Sequence, residues 1–235
     1  MTNYTQWKSL VDLHEYSAIP DSAIHQWRMA EGSGTTTDDE IADNDLDLLN
    51  GDGGDFWITD SDLEGGQGIE LSGQDERLRG NTISHFEPGE NAYSFGITVE
   101  LDNTDHRGVI LMHDLDGDAD NVTAIEQDNG ELRFRTGFEG DVGTSLSDGL
   151  DTTDRVRILV TVDEDMNRSF YRNGNELTPD GDNAGSVEIS GDLTIGKEGT
   201  RDRRWLEAVV DNPIAYDEEL SSSEAESDYL AQPWS

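Results

Sequence analysis

The sequence predicts an all-β fold, an antiparallel two-sheet sandwich with a short helix near each end of the chain. The first observation is the alternation of apolar and polar side chains, clearest at residues 95–101 and 156–162, which is typical of half-buried strands. The second is the Asn-Gly pairs at residues 129–130 and 173–174, which favour type I′ hairpin turns. No helical pattern separates the strands, so we expect neighbouring strands to pair antiparallel.

The remaining elements follow in chain order. Apolar residues at helical spacing predict a helix over residues 4–17, which ends before Pro20. Further strands are predicted at residues 109–112, 123–126, 132–136, 169–172, 187–189, 193–195 and 206–210. Serines followed by Glu224 predict the capped start of a closing helix over residues 221–230. We therefore expect a helical extension at residues 1–19 and one sandwich domain at residues 20–235.

Composition narrows the class of protein. The chain has 235 residues, 53 acidic and 15 basic side chains, and a formal net charge of −38. Because this field repels phosphate, we expect no nucleic-acid partner. We also expect no disulfide, since there is no cysteine, and no membrane insertion, since no apolar run reaches about 18 residues. The acidic excess suits molar salt, where the Debye length is about 3 Å, so we expect a halophilic, haloarchaeal source.

Four segments carry a family resemblance, in the order in which the family has them. They are IHQWRMAEGSGTTTD at residues 24–38, GGQGIELSG at 65–73, residues 155–177 ending in FYRNGNEL, and VDNPIAYDEELSSSE at 210–224. In these segments the chain resembles the laminin-G-like (concanavalin A-like) jelly roll over residues 20–230. The resemblance implies a jelly-roll sandwich, and it implies a structural calcium near Glu31, Asp38 and Asp211.

Arginines are the first candidate ligand-binding residues. They alternate with core-type residues on two predicted strands, so they are expected to point away from the core. They either form a basic surface for sulfate or uronate groups of a glycan, or pair with aspartates across strands. A tryptophan in a predicted loop at residues 55–60 is a candidate sugar-stacking face. The candidate glycan-binding residues are Arg133, Arg135, Arg155, Arg157 and Trp57.

An aspartate-rich loop is the candidate metal site. Its alternating carboxylates, Asp114, Asp116, Asp118 and Asp120, are ligands of the kind that Ca²⁺ uses. The alternative is a solvated hairpin loop without a metal. The histidines have no zinc-ligand spacing and are interpreted as polar loop and surface positions.

A carboxylate trio bears on catalysis. Glu126, Asp128 and Glu131 have the spacing of laminarinase-like hydrolases, which use two carboxylates at the scissile bond. The Asn-Gly turn between Asp128 and Glu131 is expected to move Glu131 onto the returning strand. We therefore predict no catalytic residues and a non-enzymatic module.

These observations lead to a functional expectation. We expect a structural or adhesion protein on the tail or capsid of a haloarchaeal virus, with surface glycans or other virion proteins as partners and a homo-oligomer as one arrangement. No export signal is visible at the N-terminus, so we expect the protein in the virion, or else in the cytoplasm or exported by a non-classical route. The alternatives are a cellular lectin-like module and a laminarinase-like glycoside hydrolase.

Overall fold

The protein is described by a computed structural model, and two antiparallel sheets dominate it. The structure describes residues 19–50, 56–60, 62–86, 91–105, 107–114, 122–136, 145–146, 150, 154–165, 167–177, 179–180, 191–197 and 204–233. The predicted all-β antiparallel sandwich is confirmed. The predicted N-terminal helix at residues 4–17 and the strand at 187–189 lie outside the described residues, so both stay predictions.

The described strands are short, and most pair with strands distant in sequence. In chain order they are β1 (Ala23–Gln26), β2 (Thr36–Thr37), β3 (Leu46–Leu49), β4 (Trp57–Thr59), β5 (Gln67–Ser72), β6 (Arg77–Gly80), β7 (Tyr93–Leu101), β8 (Arg107–Asp114), β9 (Val122–Asp128), β10 (Glu131–Thr136), β11 (Ser145–Leu146), β12 (Val156–Val162), β13 (Arg168–Arg172), β14 (Asn175–Leu177), β15 (Pro179–Asp180), β16 (Asp192–Ile195) and β17 (Glu207–Tyr216). One helix, α1 (Ser222–Leu230), follows, and 3-10 turns occupy Glu64–Gly66 and Ser84–Phe86.

The strands form two sheets. In sheet A the spatial order is β14-β13-β12-β7-β17-β5-β4, and β1 also pairs with β17. In sheet B the order is β15-β11-β10-β9-β8-β16-β6-β3-β2. Every pairing between the described strands is antiparallel.

Both predicted Asn-Gly hairpins are present. Asn129 and Gly130 have φ values of 52° and 85°, and Asn173 and Gly174 have φ values of 51° and 72°. Positive φ at both central residues is what a type I′ turn requires. The first turn joins β9 to β10, and the second joins β13 to β14.

The main core lies between the sheets. Phe95 and Ile97 of β7 and Ile158 of β12 face it from sheet A, and Ile125 and Phe134 face it from sheet B. These side chains are at most 2% exposed. Each contributes roughly 1.5–3 kcal/mol through burial, so the alternating pattern that predicted the strands also supplies the packing that holds the two sheets together.

A second, smaller cluster covers the outer face of sheet A. Leu159 of β12 and Tyr216 of β17 pack there against Leu220 and against Ala225 of α1. The helix starts as predicted, because Ser221 and Glu224 form a capping box in which each side chain bonds the other residue's backbone N–H. The centre of sheet A is therefore buried on both faces.

No helix in the described part of the chain is long and apolar enough to cross a bilayer.

Candidate functional site

One polar constellation joins a half-buried histidine to a buried aspartate. His25 lies on β1, and Asp39 lies two residues after β2. Nδ1 of His25 is 2.5 Å from Oδ2 of Asp39, whose side chain is 0% exposed. The other carboxylate oxygen, Oδ1, accepts the backbone N–H groups of Gln26 and Ile41, each at 3.1 Å. The carboxylate is therefore held on both of its oxygens.

The protonation of Asp39 follows from these contacts. Burial by itself would raise the pKa of the carboxyl, because a charge in an apolar surrounding is costly. The hydrogen bonds from His25 and from the backbone outweigh that cost, and the pKa of Asp39 is lowered. Asp39 is therefore an ionised, buried hydrogen-bond acceptor at neutral pH.

The indole ring of Trp27 packs against one face of the His25 ring. The two rings are stacked, with centroids 5.5 Å apart and planes 7° from parallel. Trp27 is 0% exposed, and its Nε1 donates to the carbonyl oxygen of Asn44 at 2.7 Å. The Asn44 side chain in turn joins the backbone of Asn81, accepting from its N at 2.7 Å and donating to its O at 3.3 Å. A rigid base of packed and hydrogen-bonded groups thus holds the His25 ring.

His25 lines a surface depression of about 320 Å³. This volume lies at the low end of the roughly 300–1,000 Å³ found for small-ligand sites. The polar side chains around it are those of His25, Asp43, Asn44, Asn81, Thr82, Ser84 and His85, and the apolar ones are those of Ile24, Ala42 and Ile83. Nε2 of His85 faces the carbonyl oxygens of Ala92 and Asp217, at 3.1 and 2.9 Å.

A second depression of about 360 Å³ adjoins the first, since Asn81 lines both. Its charged lining is Asp45, Asp47, Arg79 and Asp192. Arg79 is paired with Asp192, with Nε and Oδ2 2.6 Å apart. Three carboxylates therefore stand against one guanidinium, and this part of the surface is acidic.

The predicted glycan-binding arginines occupy ion pairs. Nη1 of Arg133, on β10, donates to Asp128 at 2.6 Å. Nη2 of Arg155 donates to Asp60 at 2.7 Å and to Glu100 at 2.8 Å. These contacts correspond to the pairing alternative, and glycan contacts by these arginines stay a prediction.

Arg157 is a correction to the expected exposure. It does point away from the main core, as the strand period predicts, but it is 1% exposed because α1 covers that face. Its Nε and Nη2 donate to the two oxygens of Asp228 at 2.7 and 2.8 Å, and its Nη1 donates to the carbonyl oxygen of Asn212 at 2.6 Å. The expectation of a surface guanidinium at this position is wrong.

Trp57 also differs from expectation, because it lies on strand β4 and not in a loop. Its ring is partly buried against the main core, and its Nε1 donates to the carbonyl oxygen of Gly34 at 2.9 Å. Of the remaining candidates, Arg135 lies on β10. A role of either residue in sugar binding stays a prediction.

Only one of the four candidate calcium ligands lies within the described residues. Asp114 ends β8, whereas Asp116, Asp118 and Asp120 lie outside the described residues. Within the described ranges, no three histidine, aspartate or glutamate side chains are grouped as a metal site. The trio that the resemblance suggested, Glu31, Asp38 and Asp211, is thus not assembled. Calcium at the loop after β8 stays a prediction.

The carboxylate trio is divided by the hairpin as expected. Glu126 and Asp128 lie on β9, and Glu131 lies opposite Asp128 on β10. Glu126 is 0% exposed and accepts from Nε of Arg107 at 2.9 Å, with Nη1 of Arg204 3.4 Å away. Two arginines thus occupy the carboxylate that a hydrolase of this type would need free.

Comparison with known proteins gives a fold relationship. No protein-family model and no curated protein matches the chain. Among solved structures, a Trypanosoma rangeli sialidase in complex with 2,3-difluorosialic acid is similar, with a TM-score of 0.68, 16% identity, and coverage of 92% of this chain and 34% of that one. The receptor-binding domain of botulinum neurotoxin D has a TM-score of 0.67 at 14% identity, over 92% of this chain and 54% of that one. The chain thus spans about a third of the sialidase and about half of the toxin domain.

The comparison corrects one prediction. We predicted a non-enzymatic module from the divided carboxylate trio, and this prediction is contradicted, because similar solved structures include sialidases, which are enzymes. The same two-sheet architecture also occurs in a receptor-binding domain. A fold shared by both classes cannot exclude catalysis, because chemistry depends on the residues of the site.

Sequence reasoning missed the histidine pair. It places the histidines in polar loops and on the surface, yet His25 is on a strand and His113 is inside the core at 1% exposure. One signal was present: His25 and Trp27 are two residues apart, so a strand places both side chains on one face. Nothing in the sequence pattern indicated that Asp39, 14 residues away, would meet that face.

Proposed function

We propose that this domain binds glycans, and that the ligand occupies the depression beside His25. The observation that carries the proposal is a surface depression of about 320 Å³ in which two hydrogen-bonding side chains are held in place, His25 by Trp27 and Asp39, and Asn44 by the backbone of Asn81. Sugar hydroxyl groups both donate and accept hydrogen bonds. Sites for such ligands combine a few fixed polar groups with apolar surface, which the partly buried Ile24 supplies here.

The names of similar structures support this class of ligand. One sialidase structure is a complex with sialic acid, and the toxin structure is a receptor-binding domain. The charge of the adjoining depression favours a neutral glycan over an acidic one in this protein, because Asp45, Asp47 and Asp192 repel anions. Arg133, on sheet B, and Arg155, beside β12 of sheet A, are alternative contact points, and they would favour sulfate or uronate groups.

The test measures binding in concentrated salt to a panel of neutral sugars, including glucose, galactose, mannose and lactose, and to the acidic 3′-sialyllactose. Asn81→Ala removes a side chain at the junction of both depressions and keeps the backbone contacts with Asn44. We expect it to weaken binding about tenfold. Asn175→Ala, on an exposed strand of sheet A, is the matched control and should leave binding unchanged.

The same panel separates the two sites and the two classes of function. Loss of binding in Arg133→Ala or in Arg155→Ala, with Asn81→Ala unaffected, would place the glycan at that arginine instead. Absence of binding to every sugar would reject the proposal. Product analysis after incubation with lactose and with 3′-sialyllactose, which contain glycosidic bonds, reports whether the domain also cleaves its ligand.

The biological setting is the finer part of the proposal. We infer a virion protein of a haloarchaeal virus that attaches to host surface glycans, with a cellular lectin as the alternative. The net charge of −38 supports a high-salt setting, because dense counterions are needed to screen it. Mass spectrometry of purified virus particles and of host cell fractions tests the setting, and finding the protein only in uninfected cells would favour the lectin.

A further inference from the structure

The His25–Asp39 pair determines which ring nitrogen of His25 carries the proton. Asp39 is ionised, as its contacts require, so both of its oxygens only accept hydrogen bonds. Nδ1 of His25, 2.5 Å from Oδ2, must therefore be the donor. In a neutral imidazole the other nitrogen, Nε2, is then unprotonated and accepts.

Among the described residues, nothing occupies Nε2 of His25, so this nitrogen can contact a ligand. In the part of the chain that the structure describes, it has no hydrogen-bond partner, and the side chain keeps 15% of its surface exposed beside the depression. The ring is also held against rotation. One face stacks on Trp27, and the edge that carries Nδ1 is bonded to a carboxylate that is itself bonded to two backbone N–H groups.

We propose that His25 is a fixed hydrogen-bond acceptor at this depression, whose Nε2 accepts from a hydroxyl group of the ligand. Asp39 acts through His25 as a positioning residue, because it selects the Nδ1–H form and orients the ring. The ligand must accordingly present a donor to Nε2, and a sugar hydroxyl meets that requirement where an ether or carboxylate oxygen does not. The identity of the ligand rests on the proposed function; the tautomer does not.

One isosteric change reverses the arrangement. In Asp39→Asn the amide oxygen can still accept the N–H groups of Gln26 and Ile41, whereas the amide nitrogen takes the place of Oδ2. An amide nitrogen donates, so Nδ1 of His25 must become the acceptor and the proton moves to Nε2. The variant thus keeps the backbone contacts and converts the ligand-facing nitrogen from acceptor to donor.

The first measurement is the tautomer, read from the ¹⁵N shifts and long-range ¹H–¹⁵N couplings of His25 in the full chain at mildly alkaline pH. We expect the Nδ1–H form in the native protein and the Nε2–H form in Asp39→Asn. Asp43→Asn is the matched control, because it removes a carboxylate from the same depression without touching His25, and it should keep the native tautomer. A native Nε2–H form would overturn the inference whatever the glycan result.

The second measurement is affinity, with the tightest-binding neutral sugar of the panel as the probe. His25→Gln is expected to weaken binding about tenfold, because it removes the imidazole that Asp39 holds in place. Asp39→Asn is expected to weaken binding by a smaller factor, because a sugar hydroxyl can also accept a hydrogen bond from Nε2–H. Asn175→Ala, outside the depression, is the affinity control and should leave binding unchanged. Circular dichroism checks that each variant keeps its strands. Unchanged affinity in both His25→Gln and Asp39→Asn would overturn the proposed role of His25 and leave glycan binding standing. Failure of every sugar to bind would instead reject the proposed function, and the tautomer measurement would still decide the Asp39 arrangement.

Discussion

Lowering the pH from about 7 to about 5 is expected to destabilise the folded protein by about 2 kcal/mol through a single side chain, His113. His113 lies on β8 and is 1% exposed, with its ring centroid 5.7 Å from that of Phe86. Neither ring nitrogen has a hydrogen-bond partner among the described residues. Burial lowers the pKa of His113 from its ordinary 6.5 to about 4, and the Asp192 carboxylate only partly opposes the shift.

The direction and magnitude of this pH effect on stability follow from the protons bound by the folded and unfolded states. The unfolded chain takes up the proton near pH 6.5, whereas the folded chain does so only near pH 4, so the unfolded state binds more protons between these values. The contribution of neutral His113 to the free energy of unfolding is therefore fully present above the pKa that His113 has in the unfolded chain. It falls as the pH drops toward the pKa that His113 has in the folded protein. Each pH unit in that window lowers the free energy of unfolding by about 1.4 kcal/mol. Between pH 6.5 and about pH 5 the protein crosses about 1.5 such units, which gives a loss of about 2 kcal/mol.

The assay is urea unfolding in concentrated salt, followed by tryptophan fluorescence at several pH values between about 7 and about 5. In His113→Leu the pH dependence should shrink by about 2 kcal/mol, because the titrating group is gone. Phe134→Leu, a change at another buried ring of sheet B, is the control and should lower stability equally at each pH. Equal pH slopes in the native protein and in His113→Leu would refute the reasoning.

Four other predictions test the packing, the helix cap, the charge and the metal loop. Arg157→Met should cost about 3–5 kcal/mol of unfolding free energy, because it leaves the Asp228 carboxylate buried without a counter-charge, and adding Asp228→Leu should recover part of the loss. Ser221→Ala should cost about 1 kcal/mol in the same denaturation assay by removing the N-cap of α1, whereas equal midpoints would contradict that role. Dilution from about 1 M to about 0.01 M salt lengthens the Debye length from about 3 to about 30 Å, so cooperative melting seen by calorimetry should be lost; a retained transition would speak against a halophilic protein. Calorimetric titration with Ca²⁺, after a chelator has removed bound metal, should show a binding heat that Asp114→Asn diminishes. Absence of a binding heat would show that the loop is not a calcium site.

Much of the sheet structure was predictable because strand formation is a local consequence of side-chain alternation. The strand predicted at residues 156–162 is found as Val156–Val162, and the Asn-Gly turns have the positive φ values their residues allow. The strands that alternation does not reveal, such as Leu46–Leu49 and Arg77–Gly80, contain four residues each. They form strands by pairing with each other and, for Arg77–Gly80, also with Asp192–Ile195, and these partners lie far apart in the chain.

Arg157 shows what side-chain alternation cannot predict. Alternation assigned Arg157 to the face away from the main core, and this is where it lies. Exposure is a different property, because it depends on what packs over the face. Helix α1, more than 60 residues later in the chain, supplies that cover and the Asp228 partner.

The sequence by itself determined the fold class, the hairpins, the capped closing helix and the acidic character of the protein, since each depends on neighbouring residues or on composition. Only the tertiary structure decided that His25 meets Asp39, that Arg157 is buried and that His113 lies in the core. These outcomes depend on contacts between segments far apart in the chain, and a pattern of local side chains specifies a face without specifying its partner.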